Sequence, residues 1–242
     1  MNTTKIALVT GANKGIGKEI ARQLGEAGFT VLAGSRDVQR GELAVKELVA
    51  EGLDVVGIQL EVTDAASVRA AAGRVEAEYG RLDVLVNNAA IIPAGDDAVS
   101  RIQADVLRSA FETNVLGLVG VTQAFLPLLR TAEAARIVNL STSLASFEQV
   151  GDPESRMSTV LTLGYNASKA AVNMVTVMLA NELRSTGILV NGADPGNCAT
   201  DMGGWTAART PAQGAAVAVE LATLNADGPT GRVYAEEGQL AW

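Results

Sequence analysis

The sequence contains no histidine. That absence removes Ser-His-Asp and Cys-His nucleophilic schemes, and with them the commonest zinc ligand. A single cysteine, Cys198, cannot replace it, so no metal centre is expected. One cysteine also excludes an internal disulfide framework and fits a reducing compartment. Acid–base chemistry must therefore come from Tyr, Lys, Asp, Glu or a cofactor. Positive charge is scarce too: 19 Lys and Arg stand against 27 Asp and Glu, a net charge of −8. Nucleic-acid backbones and anionic lipid surfaces are poor partners for such a chain, and any anionic ligand needs a local site. No apolar run approaches the roughly 20 residues that span a bilayer. Strand-like sequence begins so soon after Met1 that a signal peptide's apolar segment has no room. The expectation is a soluble cytoplasmic protein without nucleic-acid or membrane partners.

What is present suits a large core: 48% of residues are hydrophobic and only 19% charged. Short β-branched runs at 6–10, 30–35, 55–61, 82–88, 136–142, 188–194 and 232–236 read as strands. Stretches of helical period lie between them, at 15–27, 38–51, 65–79, 103–130, 165–185 and 211–224. Alternation of this kind predicts an α/β fold: a single-domain, Rossmann-type doubly wound parallel sheet of about seven strands with helices on both faces. No linker or repeat interrupts residues 1–242, so one domain is expected. Two long segments, 144–163 and 197–210, follow carboxyl ends of strands, where open α/β sheets bind ligands.

The turn "TGANKGIG", 10–17, sits between the first strand and first helix. Gly11 permits a tight turn, Gly15 lets the backbone approach a pyrophosphate, and Gly17 allows close packing of helix on strand. Glycines serve ordinary turns too, and it is the strand–turn–helix context that favours a dinucleotide. An enzyme using NAD usually places an acid at the end of its second strand, to bind the ribose 2′-OH. Here that strand ends "AGSRD". Arg36 and Lys14 would suit the 2′-phosphate of NADP(H). They could equally be solvated charges, with Asp37 competing as the acid.

In "YNASK", Tyr165 and Lys169 stand four residues apart, stacked on one helix face. Phenols titrate near pH 10, and a neighbouring ammonium lowers that value, so Tyr165 becomes the leading acid–base candidate in a chain without histidine. Before it, "RIVNLSTS" ends an apolar strand in three hydroxyls. Ser141 and Ser143 share one face of an extended chain and Thr142 takes the other.

Together "TGANKGIG", "NNAA" at 87–90, Asn114 in "FETNVLG", "VNLSTS", "YNASK" and "DPG" at 194–196 resemble the short-chain dehydrogenase/reductase family along essentially the whole chain. The "NKGIG" loop, the run after the second strand and the ending "GPTGRVYAEEG" look most like its NADPH-dependent carbonyl reductases.

The resemblance implies NADP(H) as cofactor and a small carbonyl substrate. Tyr165 would give a proton to the carbonyl oxygen, and Lys169 would bind the nicotinamide ribose and lower the Tyr165 pKa. Asn114 would hold a relay water. Gly11, Asn13, Lys14, Gly15, Ile16 and Gly17 would cradle the pyrophosphate, with Lys14 and Arg36 at the NADP-selecting positions. Glu61 and Val62 would lie by the adenine and Asn88 and Ala89 by the adenosine ribose. Pro195, Gly196 and Thr200 would lie by the carboxamide and pyrophosphate. Counted from Asn139, the family's polarising hydroxyl falls on Thr142, with Ser143 the alternative if the chain bulges.

The chain departs from the family pattern at Glu61 (usually Asp), Ala90 (usually Gly, costly if φ is positive) and Asn197 and Cys198 (usually larger apolar residues). Cys198 reads as a packing thiol rather than a nucleophile. Leu144, Phe147, Met202 and Trp205 either line an apolar pocket for hydrophobic or aromatic substrates or anchor loops. The long 144–163 segment leaves monomer and small homo-oligomer both open. Two other readings stand beside reduction: a redox-inactive NADP-binding regulator, and an alcohol dehydrogenase running oxidatively.

Overall fold

In a computed structural model, which describes residues 4–241, strand and helix alternate almost without break. The order is β1 (Ile6–Val9), α1 (Gly15–Glu26), β2 (Thr30–Ser35), α2 (Val38–Ala50), β3 (Val55–Gln59), α3 (Ala65–Tyr79) and β4 (Val84–Asn87). Then follow α4 (Ala104–Phe111), a π-helical stretch (Glu112–Gly117), α5 (Leu118–Thr131), β5 (Arg136–Leu140), α6 (Phe147–Gly151) and α7 (Leu163–Glu182). The chain closes with β6 (Leu189–Ala193), α8 (Pro211–Ala222), β7 (Val233–Ala235) and β8 (Gly238–Gln239).

The strands form one sheet in the order β3-β2-β1-β4-β5-β6-β7-β8. All neighbours are parallel except β7 and β8. The sheet thus has eight strands where about seven are expected. The eighth escapes the sequence because it is two exposed residues held antiparallel to β7, too short to show a period. Chain order reverses between β1 and β4, which opens a crevice at the carboxyl edge of the sheet.

Alternation along the buried strands divides the core in two. Ala7 and Val9 of β1 pack with Ile20 and Leu24 of α1, Leu48 of α2 and Leu221 of α8. Ile6 and Leu8 face the other way, onto Val75, Phe125, Leu129 and Leu183. Helix starts follow local chemistry: Asp37 accepts from the Arg40 N–H and Asp64 from the Ala66 N–H. At α8, Thr210 and Gln213 form a reciprocal capping box before Pro211.

The helical stretch Ala104–Thr131 runs 28 residues and holds an 18-residue window of mean hydropathy 1.2, long and apolar enough to cross a bilayer by composition. Half of that window is buried inside the domain, where α5 lies against α3 and β4. It is a core helix. The 144–163 connection contains two 3₁₀ turns (Ser143–Ala145, Arg156–Thr159) and the short α6.

A buried polar chain crosses the sheet. Asn87 Nδ2 on β4 donates to Thr122 Oγ1 on α5 (3.0 Å) and to Asn139 Oδ1 on β5 (2.9 Å). Asn139 Nδ2 then donates to Thr176 Oγ1 on α7 (2.9 Å). Each bond is made where water is excluded, so this chain fixes α5 and α7 against the two central strands.

Phe125 is completely buried among these helices. Replacing it with Ala should cost about 3–5 kcal/mol, measurable as a lowered urea midpoint with an unchanged slope; a loss below about 1 kcal/mol would show that α5 is not held by this contact.

Candidate active site

The sequence-identified segments meet at one edge of the sheet. Residues 10–17 leave β1, Arg36 leaves β2, Glu61 and Val62 leave β3, Asn88 and Ala89 leave β4, Thr142 leaves β5, and Pro195–Thr200 leaves β6. The glycine turn shows why its residues are required. Gly11 and Gly15 take φ +66° and +55°. A Cβ on Gly17 would sit 2.4 Å from Asn88 Nδ2 and 2.5 Å from the Gly11 carbonyl. Asn88 is itself held there, donating through Nδ2 to the Thr10 and Gly11 carbonyls. The Thr10 hydroxyl accepts from the N–H groups of Asn88 and Ala89. Helix α1 starts at Gly15 with no side-chain cap from Lys14 and no acid in its first turn. Its leading N–H groups and the positive end of its dipole therefore fit an anion such as a pyrophosphate. Thr200 packs on Gly15, whose Cβ would lie 3.3 Å from the Thr200 methyl, so the loop after β6 adjoins this turn.

The cations are differently placed. Arg36 is exposed and makes no ion pair or hydrogen bond among the described residues. Lys14 is paired with Asp201. Asp37 is not a free ribose acid, because its carboxylate caps α2. Glu61 turns its carboxylate to Thr63, accepting from both N–H and O–H, while Val62 packs on Gly117 of the π stretch. Ala90 has a negative φ, so the Gly-to-Ala departure there carries no left-handed strain.

Of the three hydroxyls, two are committed. Ser141 is buried and donates to Asn173 Oδ1. Ser143 gives its N–H (2.8 Å) and its O–H to Asp194 Oδ2. Thr142 is half-buried and extended, and its Oγ1 accepts only the Leu144 N–H (3.3 Å). Its own proton goes to no partner among the described residues.

Tyr165 and Lys169 lie one turn apart near the start of α7, both buried, with Lys169 Nζ 5.8 Å from the phenol ring centroid. Lys169 Nζ donates to the Leu140 carbonyl at the end of β5 (2.7 Å). Burial disfavours its ammonium and brings its pKa down to about 8. The lysine is expected to lower the Tyr165 pKa; in this structure that value is instead raised, first by burial and then by the Asp194 carboxylate. The physical reason is burial: a phenolate away from water loses its hydration, and the nearby Asp194 carboxylate repels it further. Asn114 occupies the π stretch, which breaks the helical ladder and lets its amide reach inward. Its Oδ1 accepts from Ile91 N–H (2.8 Å), and its Nδ2 donates to the Ile91 carbonyl and to Ser168 Oγ (both 2.9 Å).

One residue escaped sequence reasoning. Asp96, 69 positions before Tyr165, accepts from the N–H groups of Gly164 and Tyr165, one on each oxygen (2.8 Å each). Thr162, the residue at the local cap position of α7, accepts none of the leading N–H groups through its side chain and instead donates to Asn166 Oδ1 (3.0 Å). A carboxylate from a distant loop thus caps the helix that carries Tyr165. The sequence offered no signal for it, because Thr162 stands at the local cap position and reads as the cap.

Cys198 is 2% exposed, donates to the Pro195 carbonyl, and has its thiol pKa raised chiefly by burial, as a packing thiol requires. Phe147, Met202 and Trp205 are 78%, 43% and 72% exposed, so none of them anchors its loop in the core.

Lys169 makes stability depend on pH. Between about pH 8 and its ordinary 10.5, the unfolded chain holds a proton on this amine that the folded chain has released. Stability should therefore rise with pH from about 8 until tyrosine ionisation of the unfolded state opposes it near 10. Urea midpoints across this window should show the rise, and Lys169→Met should abolish it; an identical rise in the variant would assign it elsewhere.

Comparison with known proteins agrees with this geometry. The family model for short chain dehydrogenases matches residues 5–210. Carbonyl reductase (NADPH) 1 of Sus scrofa is 36% identical, with 100% of this chain and 95% of the relative covered. The 3-oxoacyl-acyl-carrier-protein reductase of Staphylococcus aureus is 38% identical over 84% of this chain and 78% of its own. Among solved structures, NADPH-bound carbonyl reductase from chicken fatty liver superposes with a TM-score of 0.87 at 29% identity, covering 99% of both chains. The chain belongs to the short-chain dehydrogenase family of oxidoreductases.

Proposed function

We propose that this protein is an NADPH-dependent carbonyl reductase acting on ketones or aldehydes, with apolar or aromatic substrates favoured. The observation that carries the reading is the buried pair Tyr165 and Lys169 on α7, beside the free Thr142 hydroxyl and on the same sheet edge as the anion-suited glycine turn. The names of the Sus scrofa and chicken relatives point the same way.

A bound NADPH supplies hydride; the chain supplies everything else. The glycine turn and the start of α1 hold the pyrophosphate, with Arg36 and Lys14 toward the 2′-phosphate. Lys14 must exchange Asp201 for that phosphate, whereas Arg36 is free to meet it. Thr142 donates its unused O–H to the substrate carbonyl oxygen, and Tyr165 gives that oxygen its proton. With its pKa raised, Tyr165 is protonated at neutral pH, the form that carries the proton to be given in reduction. Asn114, through Ser168 on the following turn, keeps Lys169 in register with Tyr165. The exposed Phe147, Met202 and Trp205 on the loops after β5 and β6 offer apolar surface to a substrate.

NADPH consumption across a panel of ketones, with NADH in parallel, tests the reading. Tyr165→Phe should lower kcat by about 10²–10⁴-fold while NADPH still binds, and near-full activity in that variant would refute the assigned acid. Arg36→Ala should raise KM for NADPH by about tenfold or more and leave KM for NADH unchanged. A preference for NADH in the wild-type chain would overturn the cofactor assignment.

A further inference from the structure

Asp194 ends β6 as a buried carboxylate, 4% exposed, with no ion-pair partner among the described residues. A buried charge in that position is costly unless hydrogen bonds satisfy it. Three do. Oδ1 accepts the Gly196 N–H (2.9 Å), and Oδ2 accepts both the N–H and the O–H of Ser143. One side chain therefore ties the exit of β5 to the exit of β6, the two places where the long loops begin. The titratable groups that feel its charge are Tyr165 on α7 and Cys198 on the following loop, with Arg209 against Cys198.

We propose that Asp194 is a positioning residue that decides which hydroxyl polarises the substrate carbonyl: it withdraws Ser143 and leaves that task to Thr142. The proposal rests on the carbonyl-reductase reading. Ser143 is the one neighbour of Thr142 that could compete, since Ser141 is buried on Asn173. A carboxylate is the strongest acceptor within reach of Ser143. Because the same oxygen also takes the Ser143 N–H, the backbone is fixed along with the side chain: turning the hydroxyl toward a carbonyl breaks its bond to the carboxylate, and shifting the whole residue breaks both. Thr142 gives up no proton in this arrangement; it only accepts, weakly, from Leu144.

The test is a rescue. Asp194→Ala and Asp194→Ser both shorten the side chain beyond reach of Ser143, and the serine keeps a polar group near Gly196 should the alanine variant fold poorly. Each is made alone, with Thr142→Val, and with Thr142→Val plus Ser143→Ala. NADPH oxidation is followed with an aromatic α-keto ester. Thr142→Val alone should lower kcat about 10²-fold. Adding either Asp194 variant should recover about tenfold of that loss, and Ser143→Ala should remove the recovery. A purely structural role for Asp194 predicts further loss in the double variant, never recovery. If the wild type is active and the double variants recover nothing, while still melting cooperatively and binding NADPH as wild type does, this proposal alone is overturned. So it is if recovery persists without Ser143. A wild-type chain that oxidises NADPH with no ketone would overturn the carbonyl-reductase reading and this proposal with it.

Discussion

The site depends on a lysine amine placed where water cannot reach it. Among the described residues Lys169 Nζ has one acceptor, the Leu140 carbonyl, at the point where β5 stops pairing and the chain turns outward. A strand's last carbonyl is an obligatory acceptor that must be satisfied when buried. Here the amine on α7 satisfies it. That bond fixes the height of α7 on the sheet, and so places Tyr165 one turn earlier at the carboxyl edge. It also fixes where the strand ends, and therefore which of the next residues are buried and which emerge. Ser141 falls inside and Thr142 at the margin.

Around that bond, polar groups hold the helices at set positions while the apolar core supplies most of the binding force. The ladder from Thr122 through Asn87 and Asn139 to Thr176 sets α5 and α7 relative to β4 and β5. Asn114 in the π stretch clamps Ile91 on one side and reaches Ser168 on the other. Asp96 closes the far end of the same loop onto the first N–H groups of α7. The segment 91–96 is therefore held at both ends by groups that also fix the helix bearing Tyr165 and Lys169.

Electrostatics at the site are set by burial more than by pairing. Tyr165 rises and Lys169 falls for the same reason, the cost of charge away from water. In a chain with no histidine, these two shifts give the site one group held protonated and one that titrates at about 8, well below an ordinary lysine.

The strand–helix alternation, the glycine turn and the Tyr–Lys spacing were legible because each is local: hydrophobic period, φ > 0 at Gly11 and Gly15, and residues four apart on a helix are written within a few positions. The sequence by itself therefore determined the fold class and the segments that gather at one edge of the sheet, with Tyr165 and Lys169 one turn apart on a helix there. Only the tertiary structure decided the rest. It turned Glu61 onto Thr63 and Asp37 into a helix cap, gave Ala90 an unstrained φ, and added β8 as two exposed residues. It brought Asp96 to a helix 68 positions away and Asp194 to a serine 51 positions away. Of three adjacent hydroxyls, it left Thr142 the one with a proton to give. These outcomes rest on which distant groups happen to satisfy buried donors and acceptors. That is a property of the packed whole, and no local pattern of residues encodes it.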